Sequence, residues 1–146
     1  MAAARSIATP ETRQPAFVLV SALTFTAWDL FLDPQMAAWD FWQWDAPGLY
    51  FGIPLTNFLG WLAVSALITL LIGPRGLPAA PLAFVYAATW LLQTIGLGLF
   101  WGQPGPALFG FTGMGTMVLL AVLRARRLRV KKAEEGNYSA DERIKR

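Results

Sequence analysis

The chain has neither cysteine nor histidine among its 146 residues. The absence of cysteine excludes disulfides, thiol nucleophiles and thiolate metal sites. The absence of histidine removes the commonest metal ligand and the usual general base at neutral pH. No glycine-rich nucleotide-binding motif follows a strand-like run, so a bound flavin or nicotinamide is not expected. The sequence therefore predicts chemistry that uses neither a metal ion nor an organic cofactor.

Charged residues are also scarce, at 14% of the chain, whereas a typical soluble domain has about 25%. Hydrophobic residues make up 55%. Between residues 14 and 123 the only basic residue is Arg75. The only acidic residues in that range are four aspartates, Asp29, Asp33, Asp40 and Asp45. This distribution predicts a multi-pass membrane protein that contacts the lipid bilayer and has no nucleic acid partner.

Four apolar runs are long enough to cross a bilayer as helices. We predict an all-α transmembrane bundle with spans at residues 17–33, 55–72, 81–100 and 107–123. Pro34 disfavours helical backbone at Asp33, so the first span is expected to end there. A cleaved signal peptide is the alternative for the first run, but no small-x-small cleavage site follows it.

The membrane domain, residues 17–123, is flanked by a polar segment, residues 1–16, and by a basic tail, residues 124–146. Six basic residues lie in the first part of the tail, directly after the fourth span. The positive-inside rule places them in the cytoplasm, so both termini of this cell-membrane protein are expected there and the acidic loop outside. We interpret the tail as a disordered topology anchor; an anionic-lipid or nucleic-acid patch is the alternative.

Two aspartates near the end of the first span are candidates for chemistry. Asp29 and Asp33 are four residues apart and therefore share a helix face with Thr26. Partial burial, mutual repulsion and the helix C-terminus each favour the protonated carboxyl. A protonated carboxyl can serve as a general acid. The alternative for Asp33 is a solvated turn residue before Pro34.

Polar residues also punctuate the later spans. Asn57 begins the second span, either as a helix-start or interhelical hydrogen-bonding group or as a pocket amide that orients water. In the third span Tyr86, Thr89 and Gln93 share one face, which favours polar contacts between helices. Three glycines permit close helix packing in the fourth span: Gly110, Gly113 and Gly115.

The segment between the first two spans, residues 35–53, is too polar and too rich in glycine and proline to cross the bilayer. The segment is also rich in tryptophan and tyrosine, which favour the interface between membrane and water. We therefore predict an interfacial, aromatic-rich loop that carries Trp39, Trp42, Trp44 and Tyr50.

Two motifs at close spacing carry a resemblance to a known family. The pattern W-D-x-x-x-D-P occupies residues 28–34, and G-[IV]-P-x-x-N-F-x-G-W occupies residues 52–61. Together they resemble the CruF-type carotenoid biosynthesis proteins, which are the carotenoid 1,2-hydratases and include the bisanhydrobacterioruberin hydratases. Asp29, Asp33, Asn57 and Trp61 match motif positions.

The resemblance implies an integral membrane hydratase, a lyase that adds water to the terminal double bond of an acyclic carotenoid ψ-end. The chemistry gives Asp29 the acid role and Asp33 or Asn57 the role of orienting water. The expected substrate-binding residues are Trp28, Trp61, Tyr50 and Gln93. Typical members are longer, so other carotenoid enzymes or an N-terminal half in front of this stretch are expected partners.

Two other functions remain open at this point. Aspartates within a membrane also suit a small proton-coupled transporter subunit. Against that reading, the acids lie toward one end of the spans, and no inverted repeat relates the first two spans to the last two. The third candidate is a non-catalytic partner in a carotenoid enzyme complex.

Overall fold

The computed structural model describes residues 15–72 and 78–144. Four helices make up most of them: α1 (Pro15–Ala38), α2 (Leu55–Ile72), α3 (Ala79–Ile95) and α4 (Pro104–Ile144). One π-helical turn, Gly96–Phe100, prolongs α3. Within the described ranges the only β pairing consists of isolated bridges in the loop between α1 and α2. The predicted all-α fold is therefore confirmed.

All four helices are long and apolar enough to cross a membrane. Only 6% to 22% of their apolar windows is buried inside the protein, so most of the hydrophobic surface faces outward. Outward apolar surface on this scale suits lipid and not water. The prediction of a membrane protein is confirmed. The polar residues 1–14 and the turn at residues 73–77, with the basic residues expected there, lie outside the described residues.

The first helix does not end at Asp33, and that prediction is wrong. α1 continues to Ala38 with Pro34 inside it. A proline lacks the backbone N–H that would bond the carbonyl four residues earlier, here that of Leu30. The Tyr50 hydroxyl donates a hydrogen bond to the Leu30 carbonyl oxygen at 2.8 Å instead. A side chain from the following loop therefore satisfies the group that proline leaves unpaired, which is how membrane helices tolerate proline.

The tail was expected to be disordered, and here too the structure differs. α4 begins at Pro104, a favoured residue at the first helical position, and continues without interruption to Ile144. Residues 124–135 are almost all arginine, lysine, leucine, alanine or glutamate, which are strong helix formers. Because the fourth span supplies a formed helix, the tail adds turns without a new nucleation step.

The core lies where α1 meets α3 and α4. Its buried members are Ala27, Phe31, Leu97, Ala107 and Met114. A Cβ atom at Gly110 would overlap the ring of the fully buried Phe31. The absence of that atom lets α1 and α4 approach closely, as the glycine pattern predicted. α1 also packs along α2, so it is the central helix of the bundle.

Candidate active site

Three predicted site residues meet between α1 and α2. Asp29 and Asp33 lie one turn apart on α1 and are 3% and 1% exposed. Asn57 lies in the first turn of α2. Its Nδ2 atom donates a hydrogen bond to Oδ2 of Asp29 at 3.0 Å and another to Oδ2 of Asp33. The interpretation of Asn57 as an interhelical hydrogen-bonding residue is confirmed, and Asp33 is a buried residue, not a solvated turn.

The acid cluster, defined as Asp29, Asp33 and Asn57, has an unusual electrostatic setting. No lysine, arginine or histidine occurs in the described ranges before Arg124. The buried Oδ1 atom of Asp29 accepts no hydrogen bond from the described residues. Two buried negative charges without a cation cost several kcal/mol or more. The arrangement can therefore hold a proton and offers one carboxyl oxygen for a further interaction.

Hydrogen bonds at two places set the register of α1 against α2. The acid cluster marks one end, and at the other end Ser21 Oγ and Thr69 Oγ1 are 2.9 Å apart. This antiparallel register places Trp28 and Trp61 at similar depth, one turn inward from Asn57. Both are partly exposed, at 39% and 42%. Both residues are therefore only partly covered by the rest of the protein.

Tyr50 comes from the loop and is half-buried beside the acid cluster. Its ring contacts Phe58 of α2 edge to face, with ring centroids 5.2 Å apart, and Phe109 of α4 at 5.6 Å. Burial, and then the charges of Asp29 and Asp33, raise the pKa of the Tyr50 hydroxyl above its ordinary value. The hydroxyl therefore keeps its proton, which it directs at the Leu30 carbonyl.

The third helix contributes polar groups at other points of the bundle. The Tyr86 hydroxyl donates a hydrogen bond to the Thr24 carbonyl oxygen of α1 at 2.9 Å. This contact confirms polar packing between the first and third spans. The Oε1 atom of Gln93 is buried and has no hydrogen-bond partner among the described residues. Gln93 lies one turn before the π-helical turn. Its Oε1 atom can therefore accept a hydrogen bond from a bound molecule.

Sequence reasoning did not find the cavity at the loop end of the bundle. It has a volume of about 420 Å³ and lies between α1, the loop and the start of α4, with Pro34, Ala37, Phe51 and Gln103 in its wall. A second space, an open apolar groove of about 430 Å³, lies between α3 with its π turn and α4. Pro104 lines both. Pro34, directly after Asp33, lines the first of these spaces. From the sequence alone, this proline was interpreted only as the end of a helix.

The two remaining loop acids lie apart from the acid cluster. Asp40 and Asp45 are both exposed. Asp40 adopts a left-handed backbone conformation with φ of 56° and accepts a hydrogen bond from Gln43 Nε2 at 3.3 Å. These contacts fit an ordered surface loop.

Comparison with protein families gives a match for residues 1–111 to a model described as carotenoid biosynthesis protein. The matched part contains α1, α2, α3 and the first turns of α4, and with them the whole acid cluster. No curated protein and no solved structure matches the chain.

Proposed function

Since this chain belongs to the carotenoid biosynthesis protein family and so has a role in that pathway, we propose that it hydrates the terminal double bond of an acyclic carotenoid ψ-end. The observation that supports the proposal is the acid cluster, a buried pair of carboxyls joined to one amide, with no basic side chain near it among the residues that the structure describes. Hydration of a trisubstituted alkene needs a proton donor, a site that tolerates a tertiary cation and a positioned water. The acid cluster offers groups for the first and third of these needs.

Asp29 is the proposed proton donor. A proton on one carboxyl of the pair removes the cost of burying two like charges side by side. The donated proton forms a C–H bond with the less substituted alkene carbon, using the π electrons, and leaves a cation at the tertiary carbon. The aromatic rings proposed to line the substrate path, those of Trp28, Trp61 and Tyr50, stabilise such a cation through their faces.

Water completes the reaction. Asp33 or Asn57 holds a water molecule, whose oxygen forms the new C–O bond at the tertiary carbon. The proton that this oxygen sheds goes to a carboxylate of the pair, so the pair again carries one proton and the product is a tertiary alcohol. Oxygen, hydrogen and charge balance without an oxidant or a reductant. Gln93, whose buried Oε1 has no partner in the described part of the chain, is proposed as a further substrate contact.

The proposal includes an orientation in a cell membrane with both termini in the cytoplasm. It rests on the six basic residues that follow the fourth span, all of them exposed on α4. The acid cluster then lies toward the outer face of the bilayer. A bilayer-soluble substrate can reach it laterally, without crossing water.

The test replaces each acid by its isosteric amide in a host that makes the unhydrated acyclic carotenoid. We expect Asp29→Asn to lower the hydroxylated product at least about 100-fold, the usual scale of a general acid. Asp45→Asn removes an exposed acid of the neighbouring loop and is the matched control. Products are quantified by chromatography and mass spectrometry, normalised to protein in the membrane.

Each outcome separates the candidate functions. Full activity of Asp29→Asn refutes its role as the acid. A wild-type chain that makes no alcohol alone, but is required for hydration by another enzyme, supports the non-catalytic partner. Unchanged pigments in every strain, together with proton uptake that depends on Asp29, support the proton-coupled transporter subunit.

A further inference from the structure

The break in the α1 hydrogen-bond ladder lies between the two acids. Pro34 cannot donate to the Leu30 carbonyl, and that missing bond lies one residue beyond the bond that closes the turn from Asp29 to Asp33. The Tyr50 hydroxyl occupies the place of the missing N–H, 2.8 Å from the carbonyl oxygen. One loop side chain therefore closes the turn from Leu30 to Pro34, which overlaps the turn from Asp29 to Asp33 and contains Asp33.

We infer that Tyr50 is a positioning residue for the proposed hydration: its hydroxyl replaces the backbone donor that Pro34 lacks and holds the turn from Leu30 to Pro34, which contains Asp33 and directly follows Asp29. This inference rests on the proposed function for its activity readout. It assigns the Tyr50 hydroxyl a backbone partner, in addition to any contact of the ring with substrate.

The loop is built to hold Tyr50 in this place. The backbone N–H of Ile53 bonds the Tyr50 carbonyl at 2.8 Å, and that of Gly48 bonds the Gly52 carbonyl at 2.8 Å. The chain reverses through two left-handed residues, Phe51 with φ of 47° and Gly52 with φ of 88°. Gly48 has no room for a Cβ atom, because the Ile53 backbone lies against it. This tight turn restricts the backbone at Tyr50 and so keeps the Tyr50 hydroxyl close to the Leu30 carbonyl.

The Tyr50 ring also contacts two other helices, α2 and α4. Phe58, which the ring meets edge to face, directly follows Asn57 on α2. Phe109, on the other side, belongs to α4. The residue that bonds the Leu30 carbonyl, between the two acids, therefore also packs against the neighbour of the amide that bonds both of them.

The structure contains a matched control for the missing donor. Tyr86 also donates its hydroxyl to a carbonyl of α1, that of Thr24, at 2.9 Å. Four residues after Thr24 stands Trp28, which has a backbone N–H, so the Thr24 carbonyl has an ordinary helical donor within reach. The two tyrosines differ in whether the helix can supply the bond itself.

The experiment is a double-mutant cycle with Y50F, P34A and Y50F/P34A, and Y86F as control, in the host that makes the unhydrated carotenoid. We expect Y50F to lower turnover about tenfold with little change in the half-saturating substrate concentration, because the orphaned carbonyl disturbs the acids and not substrate entry. P34A restores the backbone donor, so Y50F is expected to cost less than about twofold in that background. Y86F should leave turnover unchanged.

A second readout does not depend on hydration. Dicyclohexylcarbodiimide reacts with protonated carboxyls in apolar surroundings, and its labelling of Asp29 and Asp33 is measured by mass spectrometry. We expect Y50F to change the labelling rate and P34A to restore it. If the wild type makes no alcohol but labelling follows this cycle, the proposed function fails and the positioning role stands.

Three results would overturn the inference. They are a Y50F variant that equals the wild type in both readouts, an equal Y50F effect with and without P34A, and a Y86F effect as large as that of Y50F. If Y50F does not fold, folding and labelling of Y50F/P34A decide the question: recovery supports the replacement of the missing donor, and failure to recover contradicts it.

Discussion

Asn57 is the residue whose loss should loosen the site most. Its Nδ2 atom is the hydrogen-bond donor to both buried carboxyls. Replacing it with alanine leaves two carboxyl oxygens without that donor, in addition to the Oδ1 atom of Asp29, which has no donor in residues 15–72 or 78–144. The same change removes the tie between α1 and α2 at the loop end.

The expected loss of stability follows from two ranges of measured hydrogen-bond free energies. Hydrogen bonds between membrane helices average about 0.6 kcal/mol and reach about 1.7 kcal/mol, whereas bonds to charged groups in proteins contribute about 1.5–3 kcal/mol. Asn57 makes two bonds, both to carboxyls that are at most 3% exposed, so the upper part of the membrane range applies to each. We therefore expect Asn57→Ala to lower the free energy of unfolding by about 2–3 kcal/mol.

Ser21 provides the matched control at the other end of the same helix pair. Its hydroxyl bonds Thr69 at 2.9 Å, and Thr69 also donates to the Ser65 carbonyl at 2.8 Å. Ser21→Ala therefore removes one neutral bond and is expected to cost only about 0.6 kcal/mol.

The assay is unfolding in mixed micelles with a rising fraction of denaturing detergent, followed by fluorescence of the seven tryptophans. The wild type and both variants are compared under one detergent composition. A value for Asn57→Ala within about 0.5 kcal/mol of the wild type, or no larger than that of Ser21→Ala, would contradict the view that one amide holds both acids.

Two further predictions concern packing and the tail. Gly110→Ala should destabilise the bundle by about 1–3 kcal/mol in the same assay, because its new methyl group meets the buried Phe31 ring. Gly60→Ala, on α2 where a Cβ atom meets nothing within 4 Å, should be neutral or stabilise by up to about 1 kcal/mol, and a loss equal to that of Gly110→Ala would refute the packing argument. Lys131→Ala should change stability by less than about 0.5 kcal/mol, since its 3.8 Å pair with Glu135 is solvent-exposed; a larger loss would show that the tail packs on another surface.

The bundle was predictable because lipid imposes a simple rule on sequence. Each span must satisfy its own backbone and present apolar side chains over about 20 residues, and both demands are visible in a linear pattern. The predicted span 55–72 coincides with α2, and 81–100 differs from α3 and its π turn by two residues at the start. The helix ends near proline were less predictable, because whether Pro34 ends a helix depends on a donor from elsewhere in the chain.

The acid pair was partly predictable for a similar local reason. A spacing of four residues fixes Asp29 and Asp33 on one face of any helix that contains them. The apolar surroundings of the pair in the sequence indicated burial. The exposure of Trp28 and Trp61 was not visible, because composition does not show which side of a helix faces lipid.

By itself the sequence determined four membrane helices, a pair of acids on one of them and a chain without metal-binding thiols or imidazoles. Only the tertiary structure decided that Asn57, more than 20 residues away, bonds both acids and that Tyr50 completes the helix that Pro34 interrupts. The physical reason is that hydropathy and helical period act between neighbours in sequence. A hydrogen bond between α1 and α2 or the loop depends instead on register and loop shape, which packing sets.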